Sequence, residues 1–358
     1  MSSRSREEGF ALLAVLVILV ILALLASSVA LTTERAVADM QGRIDDESFR
    51  RDAFSTQETL AYLLVTQRVT IAGLTVDDQV RDADGSLRPM SAEDIDEGVS
   101  PLPIGNEIRL DGTPYRGVGR AVFALQDGRG LLSPNWSPWF VRQAWAESLG
   151  GEPNRWPDLE ARLHDYQDGD DLLRPNGAER REYTRAGRLP PANRPLTTPL
   201  ELREVSGWSP LLADVDDATL AQRMTVTRDT FVNINTAPAE TLAMVPGVGP
   251  TSAERAVDLR ANNPWTTTWS FAAAFGVRRE DVREALFLFP NGTGTLTLRN
   301  EGVGPGHLVH WTLTGADEGG YPWRLDYDFL IPRPDEGATE RIRPPPTILF
   351  SAPLPDRG

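Results

Sequence analysis

The sequence has no cysteine, only three histidines, and 36 basic residues against 51 acidic ones. Without cysteine there is no disulfide framework and no thiol chemistry, and the redox compartment cannot be read from this source. His164, His307 and His310 are the only imidazoles. The last two stand three apart on an expected strand and so face opposite ways. No Gly-x-Ser-x-Gly, Walker loop or zinc spacing occurs, so no catalytic class is indicated and the chain reads as a non-enzyme. A formal charge of −15 makes the body a poor partner for a polyanionic nucleic-acid backbone. Such acidity suits a soluble exported head or a divalent-cation site.

What is present begins at the N-terminus. Phe10 to Ala26 is an unbroken apolar run; Ser27 and Ser28 interrupt it, and Val29, Ala30 and Leu31 extend it. About twenty helical residues cover ~30 Å, one hydrocarbon core. The polar leader ends at Gly9, and Phe10 follows at once. Ala26-Ser27-Ser28 has the small residues of a signal-peptidase site. The helical pattern nevertheless continues past it. Residues 32–67 contain no Pro and one Gly, Gly42, with Phe49, Ala53, Leu60 and Leu64 at helical spacings. One helix over 10–68 is predicted, which a cleaved signal would not need.

Beyond it, residues 71–104 read as acidic loops, then "EIRLDG" (107–112) and "GRAVFALQDGRG" (119–130) read as short strands. From 138 to about 288 the pattern is short helices separated by Pro and Gly. Strand signals return at 294–300, 307–315 and 323–332. The last predicts Trp323, Leu325, Tyr327 and Phe329 on one face, with Arg324, Asp326 and Asp328 on the other. Strands on both sides of a helical block imply one sheet with an inserted domain. The expected class is α+β: a long N-terminal helix, an antiparallel head from 69–132 and 289–332, an all-helical insertion at 133–288, and a Pro-rich unfolded tail, 333–358.

Two stretches inside the insertion invite a functional reading. "FVNINTAPAETLAMVPGVGPTSAERAVDLRANNP" (231–264) has the form of a helix-hairpin-helix. Thr236 is placed to cap the first helix, with Pro238 in its first turn and Glu240 near its positive end. The glycines of "PGVGP" permit unusual backbone angles. Over 231–290 five Arg face six acidic residues, so a packing module is favoured over a DNA clamp. "YQDGDDLLRPNGAERREY" (166–183) gathers Asp168, Asp170, Asp171 and Glu179. Carboxylate oxygens suit a hard cation such as calcium, although Leu172 and Leu173 at the fifth and sixth positions exclude an EF-hand. A solvated turn balanced by Arg174, Arg180 and Arg181 is the alternative.

Together, "EEG|FALLAVLVILVILALL", "LHDYQDGDD...GAERREY", "NRPLTTPLELREVSGW" and "VNINTAPAETLAMVPGVG" resemble the general secretion pathway protein K family, minor pseudopilins of type II secretion. The resemblance runs from residue 1 to about 332. It implies a prepilin leader, 1–9, cut between Gly9 and Phe10 by a prepilin peptidase, with methylation of Phe10. It implies a pilin-like fold with a helical insertion, whose calcium site maps onto Asp168, Asp170, Asp171 and Glu179. It further implies a single-pass protein of the inner membrane, N-terminus cytoplasmic and bulk periplasmic. Its partners would be membrane lipid, other minor pseudopilins, the major pseudopilin and secreted substrates. Ala14 stands where most pilins carry glutamate, as is typical of this branch. The alternatives are a membrane-anchored DNA receptor of competence type and a minor pilin of a type IV pilus.

Overall fold

The computed structural model describes residues 4–332, apart from 83, 92, 95–100, 229–230, 302–304 and 316–319, and residues 348–350; side chains are described from Val15 onward. Helix α1 is Arg4–Thr66, and its stretch from Val15 has a window of mean hydropathy 2.9 with none of that window buried. It is long and apolar enough to cross a membrane. No Pro interrupts it, and the serine and threonine hydroxyls that follow the apolar run return to backbone carbonyls one turn earlier: Ser28 to Leu25, Thr32 and Thr33 to Val29. That satisfies them without breaking the helix.

Residues from Ala53 onward form a compact unit distinct from 1–52. In it the last turns of α1 bury Leu60, Leu63 and Leu64. Two short pairs follow, β1 (Val69–Thr70) with β2 (Gly73–Leu74), and β3 (Gln79–Arg81) with β4 (Leu87–Pro89). The head is a five-stranded antiparallel sheet of β5 (Asp111–Arg116), β6 (Ala121–Asp127), β9 (Thr293–Asn300), β10 (Gly306–Leu313) and β11 (Trp323–Ile331), in the order β11-β10-β9-β6-β5. Phe123 lies opposite Tyr115 and Leu298, so the inward-facing set of one strand meets that of the next. Thr56 of α1 accepts the Val118 N–H at 3.0 Å, holding the helix to the β5–β6 turn.

Between β6 and β9 lies the insertion. Its helices are α2 (Trp139–Ser148), α3 (Trp156–Gln167), α4 (Arg180–Arg185), α5 (Asp217–Arg223), α6 (Ala239–Ala243), α7 (Gly249–Asn262), α8 (Thr268–Phe275) and α9 (Arg279–Ala285), with β7 (Val232–Asn233) parallel to β8 (Leu286–Phe287). It has two cores. The first centres on Trp208, fully buried, stacked on Trp145 at 5.7 Å and edge-on to Trp156 at 6.3 Å, its indole N–H donating to Leu159 O. The second joins Ile234, Leu242, Val245, Phe271 and Leu286.

Three expectations need correction. A bulge between His310 and Trp311 sets two β11 residues against one of β10 and breaks the alternation. Trp323 and Leu325 therefore line a cavity against α1, whereas Tyr327 and Phe329 pack with α5 through Leu308, Ala218 and Ala221. Thr236 does not cap α6. The cap position is Pro238, without a side-chain bond, because the Thr236 hydroxyl is taken by buried Asp127 at 2.7 Å. Finally, Ile348–Phe350, within the tail expected to be unfolded, form a 3-10 turn whose Phe350 meets Phe123 edge-on at 5.7 Å. Residues 333–347 and 351–358 lie outside the described residues.

Candidate functional site

The acidic loop starts where α3 ends. Asp165 sits on the buried face of α3, beside Leu163 and Tyr166, and is fully buried. Its Oδ1 accepts from Arg174 Nη1 at 2.8 Å and its Oδ2 from the Arg174 backbone N–H at 3.3 Å. The same guanidinium binds Asp168. Glu179, at the start of α4, is only 3% exposed, and neither of its carboxylate oxygens has a hydrogen-bond partner. Oδ1 of Asp168 is buried and unpartnered as well. Burial, together with Asp165, Asp168, Asp171 and Asp170, pushes the Glu179 carboxyl up to about 7.

Asp170 and Asp171 are exposed and held by neighbours. Asp170 accepts from the Leu172 N–H at 2.8 Å, and Asp171 accepts from Asn193 at 3.4 Å, with Arg180 at 3.9 Å. Of the four acids expected from the sequence, Glu179 is buried and Asp168 half-buried, Asp170 and Asp171 are exposed, and all of them, with the buried Asp165, act on Glu179 electrostatically. Asp165 escaped the sequence reading because it lies inside a helix, where one acid on an apolar face looks like ordinary variation. Gly177 is the other hidden part: a Cβ there would fall 1.9 Å from Asp165 Oδ2.

Among the described residues no three His, Asp or Glu side chains are already gathered around one point as a metal site. The donor set nonetheless suits a cation. Asp165 and Asp168 share one arginine, Glu179 is buried near them, and three oxygens of Asp168 and Glu179 have no donor. Buried carboxylates are ordinarily paired, hydrogen-bonded or metal-bound.

The helix-hairpin-helix is built by α6 and α7, joined through Gly247 and Gly249 at φ +88° and +69°. Two arginines of this region are engaged within the protein. Arg260 is buried, donates to Ile234 O and Ala237 O, and is drawn down to about 10 by burial. Arg278 is tied to Asp281 and Glu280. Neither is free to meet a phosphate.

Gly9 and Phe10 fall within α1, but the side chains of Phe10 and Ala14 lie outside the described ones. A further polar centre, Asp127, was not legible beforehand. It ends β6, is fully buried, and accepts from Asn233 Nδ2 (3.0 Å), the Thr236 hydroxyl (2.7 Å), Arg129 N (3.2 Å) and Asn291 N (3.1 Å). Burial outweighs these donors and pushes its carboxyl up to about 6. It ties the exit from the sheet, the return to it and the entrance of the hairpin module.

A long apolar helix, an antiparallel sheet and a helical block between its strands define a pilin-like protein with an insertion. Residues 141–215 match the family model "Type II secretion system (T2SS), protein K", and residues 228–272 match the helix-hairpin-helix motif. Within the helical block, residues 141–215 are thus similar to the type II secretion system protein K family. A solved relative is the GspK-GspI-GspJ complex from the type 2 secretion system of enterotoxigenic Escherichia coli. The similarity is 17% in sequence, covers 61% of this chain and 82% of that one, and has a TM-score of 0.40. A search of curated protein sequences finds no match.

Proposed function

We propose that the chain is a minor pseudopilin at the tip of the type II secretion pseudopilus, supporting protein export across the outer membrane. The observation that carries this is the protein K match at 141–215, which lies inside the helical block between β6 and β9. In the related complex GspK assembles with GspI and GspJ. Their counterparts, with the major pseudopilin, are the partners proposed here. Helix α1 first anchors the precursor in inner-membrane lipid, N-terminus cytoplasmic and bulk periplasmic, and then packs the assembled tip. A prepilin peptidase cuts between Gly9 and Phe10, and Phe10 becomes N-methylated. Secreted substrates are further partners. The buried and paired arginines of the hairpin module weigh against a DNA receptor.

Calcium belongs to the same reading. Glu179 and Asp168 would hold it with their unpartnered oxygens, and Asp165 would join when Arg174 swings away. Arg174 is itself well exposed and can leave without a desolvation cost. The ion would supply the positive charge that this loop otherwise draws from a single arginine.

Mass spectrometry of the membrane-extracted protein tests the core of the proposal. A mature chain beginning at Phe10, one methyl heavier than unmodified, is expected. A terminus near Ser28 would mean an ordinary signal peptidase and would end the pseudopilin reading.

A further inference from the structure

β9 carries different chemistry on its two faces. Leu296 turns toward α1 with Leu60 and Leu64, so Thr295, Thr297 and Arg299 stand on the opposite face of the sheet. Their register partners on β6 are Gln126, Ala124 and Val122. Over these strands lies a cavity of about 320 Å³, bounded also by Pro114 of β5 and Gln222 of α5. That is the lower end of the size range of small-molecule sites. At the ~30 Å³ that one water occupies, it has room for about ten non-hydrogen atoms.

Arg299 is half-buried at one end of the cavity. Gly306 lets its stem cross β10, since a Cβ there would fall 2.8 Å from Arg299 Cγ. The guanidinium donates to Pro332 O at 3.3 Å and forms no ion pair among the described residues. Burial draws its pKa down, and no neighbouring acid offsets that. Arg109 and Arg324, in the same head, each have a carboxylate. A guanidinium offers five N–H donors in a planar fork, so most of those on Arg299 are uncommitted. Beside it, the hydroxyls of Thr297 and of Thr295, 2% exposed, make no hydrogen bond among the described residues. At the other end, Gln126 gives its amide N–H groups to Asp127 O and Thr236 O, which leaves Oε1 as an acceptor beside Gly112.

We infer that this cavity binds a small organic carboxylate of about dipeptide size, its charge held by Arg299 and a hydrogen-bond donor turned to Gln126 Oε1. A planar carboxylate matches the guanidinium fork in a bidentate pair. A phosphate dianion would call for a second cation, and Arg299 is the only one lining the cavity among the described residues. Val122, Ala124 and Pro114 give apolar walls for short aliphatic groups. The inference is independent of the tip reading.

Calorimetric titration of the full chain in detergent with alanyl-alanine tests it. A Kd of about 1 mM or tighter is expected. Alanyl-alanine amide, which lacks the charge, should bind at least tenfold more weakly. Arg299→Gln should weaken alanyl-alanine binding at least tenfold, and so should the near-isosteric Thr297→Val, whose melting temperature should stay within about 2 °C of the parent. Equal binding of the acid and the amide, unchanged binding by a folded Arg299→Gln or Thr297→Val chain, or no heat with alanyl-alanine at 10 mM would each overturn the site. Penta-alanine binding more tightly than alanyl-alanine would make the ligand the carboxyl end of a longer chain and overturn the assignment to a small molecule.

Discussion

Replacing Asp127 by alanine should loosen the insertion from the sheet. The side chain is fully buried and receives four hydrogen bonds, from two backbone N–H groups and two side chains. Each donor left unpaired in the interior costs about 1 kcal/mol at the low end. Four of them give a loss of about 4 kcal/mol, with no discount for exposure. Asp127→Asn keeps the shape but turns an NH2 group toward half of the donors, so about 2 kcal/mol is expected. For a unit of this size 1 kcal/mol moves the midpoint by about 2–4 °C, so the alanine variant should melt about 10 °C lower. Circular dichroism melts of the region from Thr32 onward measure this directly. Limited proteolysis adds a local readout, since cleavage should appear first near Arg129 or Arg228, beside the clasp. Midpoints within 2 °C of the parent, or an asparagine variant worse than alanine, would refute the account of Asp127 as a clasp.

Four further outcomes are expected. Saturating calcium, at a hundredfold excess over Kd, should add about 2.7 kcal/mol, seen as a higher melting temperature than in chelator; Asp168→Asn with Glu179→Gln should abolish the difference, and equal melting of the parent with and without chelator would leave the loop as a solvated turn. Without metal, Glu179 titrates higher folded, at about 7, than unfolded, so the folded state holds the extra proton. Stability from this group should be complete below the ordinary glutamate range and lost as pH rises through about 7, and calcium should flatten that slope; denaturant midpoints across pH 4–8 check the sign. Gly177→Ala pushes a Cβ into Asp165 Oδ2 and should cost about 1–3 kcal/mol by overpacking, together with the calcium response, in the same melts. Ala14→Glu should impair secretion more than Ala14→Leu, because a carboxylate in hydrocarbon is costly without a partner, and equal secretion by both variants would remove that argument.

Much of the architecture was legible because period and punctuation are local. The run from Phe10, the absence of proline to residue 68 and the strand–helix–strand order all follow from neighbours in sequence. Three features were not, because each depends on a distant partner. The β11 alternation fails at Asp326, where β10 pairs one residue against two, and where Asp326 turns to His310 Nδ1 at 2.8 Å. Thr236 looked like a cap, but its hydroxyl answers to a carboxylate 109 positions away. The cluster around Glu179 was visible as a run of acids, yet its buried member, Asp165, belongs to a helix face. Tertiary contact removed Asp165 from water and left Asp170 and Asp171 exposed.

The pairing of β6 with β9 sets an order of events for the nascent chain. Asp127 and Gly294 are register partners, 167 residues apart along the chain. Closing a flexible loop of that length costs about 4–5 kcal/mol in entropy before the first ladder bond repays it. The insertion carries two cores of its own, and when these condense they bring their two ends to the same place. The central strands then meet across a short gap instead of a long coil. Maturation of the head should therefore wait on the insertion, and a lesion in the Trp208 core would surface as slow or failed closure of the sheet.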